Sequence, residues 1–482
     1  MGILSNLKPA KVFEYFEMLS SVPHGSGNTK QISDLCVNFA KERGLRYYQD
    51  DLNNVVIYKD ASEGYEGSDP VILQGHLDMV CAPDETCTID MEKDGLILET
   101  DGQWVWAKGT SLGADNAIAV AMTLAILDDR DAAHPPIEAL FTVDEETGMF
   151  GAVGLDTSVL KGKRLINLDS EEEGIFTVGC AGGTRVNCSI SCEREELCGW
   201  EFISISISGL RGGHSGVEID KCRASANRLM ARMLYHLSEL TDLRLCALSG
   251  GNLDNVIPKS CTAKIAVKSA DAENVLSLIE EYKTIYKNEF ATADPDVCIE
   301  YKRGEKAEAV VKSKDTHRML TALYTVPYHV QEMSADIKGL VQTSLNLGVL
   351  NLFEDELSFS FAVRSSVTSQ KEELVRRIRA VVEYMGGEVT CHGDYPAWQY
   401  AKVSPLRDTV LEAYKAVSGK DGEIMAIHAG LECGLFIEKM EGLDCISFGP
   451  DLCDVHSPRE KMNVSSIERT TNLVYEILKR CK

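Results

Sequence analysis

Three short apolar runs in the first third of the chain each end in polar residues, acids among them, and this narrows the fold more than any other feature. They are "DPVILQGHLD" (69–78), "PPIEALFTVDEE" (135–146) and "KRLINLDSEEEG" (163–174). Runs of about four to six apolar residues without alternation are what strands buried on both faces look like. Between the first two lies "SLGADNAIAVAMTLAILDD", whose Ala, Val, Met and Leu content is helical. The order predicts an α/β layer with parallel strands. In open sheets of this kind, ligands bind beyond the strand ends, where these acids fall.

From about residue 185 the pattern changes. "EFISISISGL" (201–210) alternates strictly, as a half-solvated antiparallel strand does. A helix is expected around 224–237 with Asp220 as its cap, then "SCTAKIAVKS" (260–269), a helix around 272–289 and "DVCIEYKR" (296–303). A comparable order recurs in "DELSFSFAVRS" (355–365), a helix around 370–385 and "GGEVTCHGD" (386–394). The tetrapeptides "AVKS" (266–269) and "AVRS" (362–365) sit at matching places, so this region reads as two similar α+β lobes. After about residue 396 the α/β character returns, with "LDCISFGP" (443–450) as a strand and a closing helix. The expected organisation is one domain over 1–184 and 396–482, interrupted by an inserted domain over 185–395 with lobes at about 185–305 and 306–395.

Asp plus Glu outnumber Lys plus Arg by 74 to 49, a formal charge of −25, which argues against nucleic acid or an anionic membrane as partner. No stretch approaches the roughly 18 consecutive apolar residues of a membrane span. The N-terminus reads as an amphipathic helix with Val12, Phe13, Phe16 and Leu19 on one face, not as a signal peptide. Gly2 does not open a myristoylation motif, because Asn6 stands where Ser or Thr is required. The sixteen cysteines show no CxxC pair, which predicts reduced, mostly buried thiols and a cytoplasmic location.

Five segments carry the candidate chemistry: "GHLDMV" with His76 and Asp78, "LGADNA" with Asp115, "VDEETG" with Glu145 and Glu146, "NLDSEEEG" with Asp169, and "DVHSPRE" with His456. Imidazole and carboxylate together suit zinc and similar divalent ions. His76 and Asp78 lie two apart on an expected strand and point to the same side, so Asp78 would orient the His76 ring. One such pair alone would be read as a satisfied core histidine. Five segments on one rim point to a metal. Glu145 and Glu146 would face opposite ways if extended, so a turn after the strand is needed to aim both inward.

"GHLDMV", "GADNAIAVA", "FTVDEETGMFGA", "NLDSEE", "GLRGGHSG" and "HSPRE", in this order, resemble the M20 metallopeptidases, dinuclear zinc aminopeptidases and carboxypeptidases with a lid domain. "SGGNLDNVIP", "TSLNLGVL" and "HAGLECGLF" resemble the bacterial aminoacyl-histidine (Xaa-His) dipeptidase branch. The resemblance implies a dinuclear-zinc catalytic domain, a mixed sheet flanked by helices, interrupted by an α+β lid. It implies that Asp115 bridges two ions, that His76 and Asp169 complete one and Glu146 and His456 the other, and that the ions are zinc, with cobalt or manganese admitted. Glu145 is then the general base for a shared water or hydroxide, and the peptide bond after Asp115 is cis. By the same resemblance His214 steadies the oxyanion, Asn255 and Arg364 hold the substrate, and Gly430 and Glu432 sit on a substrate-side loop. Arg364 would pair with the substrate's C-terminal carboxylate.

His24 carries no family role and is expected at the surface, His428 is left structural, and "EEE" at 171–173 is taken as solvated charge. Cys81 and Cys453 offer no clean ligand set. The function implied is a cytoplasmic dinuclear dipeptidase acting on small peptides, Xaa-His included. The alternative is an N-acyl amino acid deacylase or a broader di- and tripeptidase with the same metal site. A binding protein that has lost its chemistry is disfavoured, since neither Glu145 nor any ligand position is missing. Relatives that pair through their lids also admit a homodimer.

Overall fold

The computed structural model describes residues 2–304, 307 and 309–482. They form two compact units, one of Met1–Gly179, Tyr400–Ala426 and Leu431–Lys482, the other of Cys180–Gln399 and Ile427–Gly430.

The first unit is built on an eight-stranded mixed sheet in the order Arg46–Gln49, Val55–Lys59, Ile137–Thr142, Val71–His76, Arg164–Asn167, Asp444–Ser447, Ile175–Cys180, Glu423–Ile427. Ile137–Thr142, Val71–His76, Arg164–Asn167 and Asp444–Ser447 run parallel. Every residue of Val71–His76 and Ile137–Thr142 is buried, which is why these strands read as continuous apolar runs. The one acid inside them, Glu138, accepts the backbone N–H groups of Lys161 and Gly162.

Helix Ala114–Asp128 packs on Val71–His76 and against helix Ala10–Ser20. It is buried nearly all round, so its sequence shows no polar stripe. Ile118, Val120, Met122 and Leu124 are fully enclosed, each contributing about 1.5–3 kcal/mol of transfer free energy. Val12, Phe13, Phe16 and Leu19 are buried along helix Ala10–Ser20, as their spacing predicts. Helices Pro405–Ser418 and Val464–Arg480 pack together, and Pro405–Ser418 also lies on Asp444–Ser447.

In the second unit the strands expected in two lobes belong to one antiparallel sheet. Its order is Cys298–Arg303, Trp200–Ser208, Cys261–Lys268, Arg244–Gly250, Val341–Leu352, Glu356–Ser365, Gly182–Ser191, Glu388–Tyr395, with His329–Met333 added beside Val341–Leu352. Gly250 pairs with Leu350, joining the two series edge to edge. Gly182–Ser191 precedes the first series in the chain but lies within the second, between Glu356–Ser365 and Glu388–Tyr395. The matching tetrapeptides do end corresponding strands, Cys261–Lys268 and Glu356–Ser365, each leading towards a helix. Asp220 is not a helix cap. It lies in the short 3-10 turn Ile219–Lys221, and Ser225 occupies the cap position of helix Ala226–Leu240. Among the described residues no helix is long and apolar enough to cross a membrane.

Candidate metal centre

The four parallel strands end on one side of the sheet, and the loops leaving them bring the expected acids and imidazoles together. His76 is the last residue of its strand. After Ile137–Thr142 the chain turns at Asp144, whose φ of 54° lies in the left-handed region, and Gly148 and Met149 both donate back to the Glu145 carbonyl. This turn replaces the alternation that would have sent Glu145 and Glu146 to opposite sides.

Asp115 lies between the two histidines. Its Oδ1 is 3.2 Å from His76 Nε2 and its Oδ2 is 3.2 Å from His456 Nε2. Asp169 Oδ1 lies 3.4 Å from His76 Nε2, and Glu146 Oε1 lies 2.8 Å from His456 Nε2. Donor atoms of His76, Asp115 and Glu146 all fall within 4.8 Å of one another. Each imidazole therefore shares an oxygen of Asp115 and has a second carboxylate of its own. The Asp115–Asn116 peptide bond is cis.

The ion pairs of Asp78, Asp115, Glu146 and Asp169 among the described residues are with these two histidines; none reaches a lysine or arginine. Such crowding of buried carboxylates calls for cations. Burial opposes charge on His76, yet Asp169, Asp115 and Asp78 outweigh it and hold its pKa well above the ordinary range. Hydrogen bonds to Asp115 and Glu146 push His456 up to about 10. Burial raises Glu145 well above the ordinary carboxylate range against the pull of His76, with Asp169, Glu432 and Glu146 adding to the rise. Divalent ions compete with protons for such ligands and would meet the same oxygens, so the residues fit a dinuclear centre.

Asp78 departs from its expected geometry. The strand stops at His76, so Asp78 is not two along the same strand, and His76 Nδ1 faces the Asp78 main-chain carbonyl at 3.0 Å with the carboxylate at 3.5 Å. That carboxylate instead accepts from Ser26 Oγ and from the backbone N–H groups of Glu145 (3.0 Å) and Glu146 (3.3 Å). Asp78 thus anchors the loop that carries the two glutamates.

Glu432 is fully buried and its carboxylate accepts from Gln74 Nε2 at 2.6 Å and Thr142 Oγ1 at 2.7 Å, beneath the strand ends and closed to solvent. Expected on a substrate-side loop, Glu432 opens the helix Glu432–Lys439 instead, with its side chain turned inward. Gly430 falls in the Ile427–Gly430 segment of the second unit. His24 is likewise not at the surface but 2% exposed, because its loop runs beside the His76 strand end, with Met79 donating to the His24 carbonyl. In "EEE", Glu173 makes a two-pronged ion pair with Arg469. Cys81 is exposed and Cys453 half-buried.

Two supports escaped the sequence reading. Glu460, the last residue of "HSPRE", accepts the backbone N–H groups of Leu112, Gly113 and Asp115, fixing the loop that presents Asp115. Asn116 accepts from the His76 N–H and donates to the Leu168 carbonyl. Only their place in quoted motifs could have signalled either.

In the second unit, His214 sits in a short two-stranded ribbon opposite Val256, and Ser215 donates to the Asn255 carbonyl. Gly216 and Val217 donate to His214 Nδ1, so the neutral ring carries its proton on Nε2 and can donate from there. Burial and the Arg364 charge keep the His214 pKa low. Arg364 donates to Tyr395 Oη at 2.7 Å and makes no ion pair among the described residues, while its Nε is buried without a partner. His428, left structural above, belongs to this group: its Nε2 meets Ser344 Oγ at 2.7 Å, and burial, with the Arg364 charge adding, lowers its pKa to about 3.

A metallohydrolase built on a mixed α/β sheet, with strand-end ligands that fit two metal ions, is the class that this site defines. The model of peptidase family M20/M25/M40 matches residues 72–480, and the chain belongs to that family. It is 38% identical to the cytosol non-specific dipeptidase of Escherichia coli (strain K12) over 482 residues, covering 99% of each protein. Its structure is similar to that of the aminoacylhistidine dipeptidase from Vibrio alginolyticus, with a TM-score of 0.94, 35% identity and coverage of 99% and 98% of the two chains. Aminopeptidase PepT from Bacillus cereus ATCC 10987 shares the fold at a TM-score of 0.57 and 16% identity, covering 98% and 99%.

Proposed function

We propose that the chain is a cytoplasmic, dinuclear metal-dependent dipeptidase of broad range that includes Xaa-His dipeptides. The observation that carries this is Asp115, whose two oxygens each face a different histidine Nε2 at 3.2 Å in a buried anionic cluster without lysine or arginine. His76, Asp115 and Asp169 would hold one ion, and Asp115, Glu146 and His456 the other. When bound, two such ions acidify water and polarise the scissile carbonyl; zinc suits the ligands, with cobalt or manganese admitted.

Glu145 is the proton carrier. Its raised pKa suits a carboxylate that takes a proton from water and returns it to the leaving amine. Asp78 positions Glu145 through the loop backbone. His214 donates from Nε2 to the developing oxyanion. Arg364, without an acidic partner among the described residues, takes the substrate's C-terminal carboxylate, and Asn255 holds the peptide beside His214.

A panel of carnosine, other Xaa-His and Xaa-Leu dipeptides, tripeptides and N-acetyl amino acids, run on metal-loaded protein, tests this reading. Cleavage of the dipeptides is expected. Cleavage of N-acetyl amino acids alone would replace the dipeptidase with a deacylase.

A further inference from the structure

A cavity of about 330 Å³ opens within the first unit, and none of the metal-centre residues lines it. That volume is at the small end of the range of about 300–1,000 Å³ for small-molecule sites. Its apolar walls are Phe176, Tyr414, Phe448, Leu473 and Val417. Phe176 stands edge-on to Tyr414 at 5.2 Å between centroids and tilted to Phe448 at 5.5 Å, so the chamber is a rigid aromatic corner.

Glu173, Arg469 and Thr470 are among its polar lining residues. Arg469 Nε and Nη2 donate to the two oxygens of Glu173 at 2.7 and 2.6 Å, leaving the Nη1 protons free for a further acceptor. Thr470 lines the same chamber at 2% exposure, and its Oγ1 has no hydrogen-bond partner. A buried hydroxyl without a partner is costly unless something else satisfies it. Glu173 and Phe448 follow shortly after Asp169 and strand Asp444–Ser447, so the loops that wall the cavity also lead to the metal centre.

We propose that this cavity is a second ligand site, for a free amino acid with an apolar side chain. The side chain fills the corner formed by Phe176, Phe448 and Leu473. Arg469 takes the α-carboxylate, Glu173 takes the α-ammonium group, and Thr470 Oγ1 donates to a carboxylate oxygen. A zwitterion suits an ion pair of zero net charge, whereas a simple acid or amine would leave one charge uncompensated. The chemistry of the cavity alone selects this class; under the proposed function, it is also the class that hydrolysis releases.

The test is calorimetric titration of L-leucine and L-phenylalanine into the full-length protein, up to about 10 mM. One saturable site per chain is expected. Val417→Trp, which fills the chamber, and Arg469→Gln should each weaken binding by at least about tenfold, and Thr470→Val by several-fold. N-acetyl-L-leucine and L-leucinamide should bind at least about tenfold more weakly than L-leucine. Unchanged affinity in a folded Val417→Trp or Arg469→Gln protein, or no saturable binding to the wild type, would overturn the proposal. Equal affinity for the blocked leucines would overturn the zwitterion. Binding is read without turnover, so failure here leaves the dipeptidase reading untouched.

Discussion

Glu145 and Glu146 are neighbours, and one turn, opened by Asp144 at φ 54°, lets them meet different surroundings, as the proposed division of roles requires. Glu146 reaches His456 at 2.8 Å. Glu145 makes no such contact among the described residues and has the more strongly raised pKa. Glu145→Ala is expected to keep both metal ions while kcat falls by roughly 10²–10⁴-fold, the scale of one catalytic proton carrier. Glu146→Ala should lose metal instead. Metal analysis alongside turnover decides this, and near wild-type kcat in Glu145→Ala would remove the base assignment. Glu460→Gln should weaken metal binding by about 10–100-fold, measured by chelator competition, because the Asp115 loop loses the charge that accepts its N–H groups. Unchanged metal affinity would show that the loop holds itself. Which acids gather was legible in the sequence, since five segments fall at strand ends or in one matching motif. What each acid touches was not. Asp78 lies two residues past the end of its strand, and Glu432 and His24 are buried by elements distant in the chain, which no local pattern encodes.

Buried parallel strands announce themselves at the scale of elements by unbroken apolar runs, and the helix Ala114–Asp128 by small residues all round. Alternating strands say less, because alternation gives the face a strand presents but not its neighbour. For this reason Gly182–Ser191, which pairs in register with Glu356–Ser365 and Glu388–Tyr395, could not be placed from its pattern. That register also puts Gly183 opposite both Arg364 and Tyr395. A methyl group on Gly183 would meet the Tyr395 ring hydroxyl, which accepts from Arg364. Gly183→Ala is therefore expected to raise KM for dipeptides by several-fold while leaving two ions bound. Dipeptide kinetics with metal analysis provide the check, and an unaltered KM would separate the Tyr395–Arg364 contact from substrate binding.

Stability of the whole molecule should depend on pH through histidines that fold as neutral rings. His134 in the first unit and His329 and His428 in the second all have lowered pKa values, with burial the main cause. For His428 the folded value is about 3, against an ordinary 6.5, so between those limits the unfolded chain binds a proton that the folded chain does not. Stability is then greatest above pH 6.5 and falls on acidification, by at most about 1.4 kcal/mol per pH unit for this ring. Urea unfolding of wild type and His428→Gln between pH 7 and pH 5 should show a shallower acid loss in the variant; parallel curves would contradict it. Whether Asp115 would serve two ions at once is decided by counting bound zinc per chain by elemental analysis after dialysis. About two ions are expected in the wild type, about one in His456→Ala, and a loss at both positions in Asp115→Ala. A wild type that saturates at one ion, or an Asp115→Ala protein that keeps two, would contradict that role.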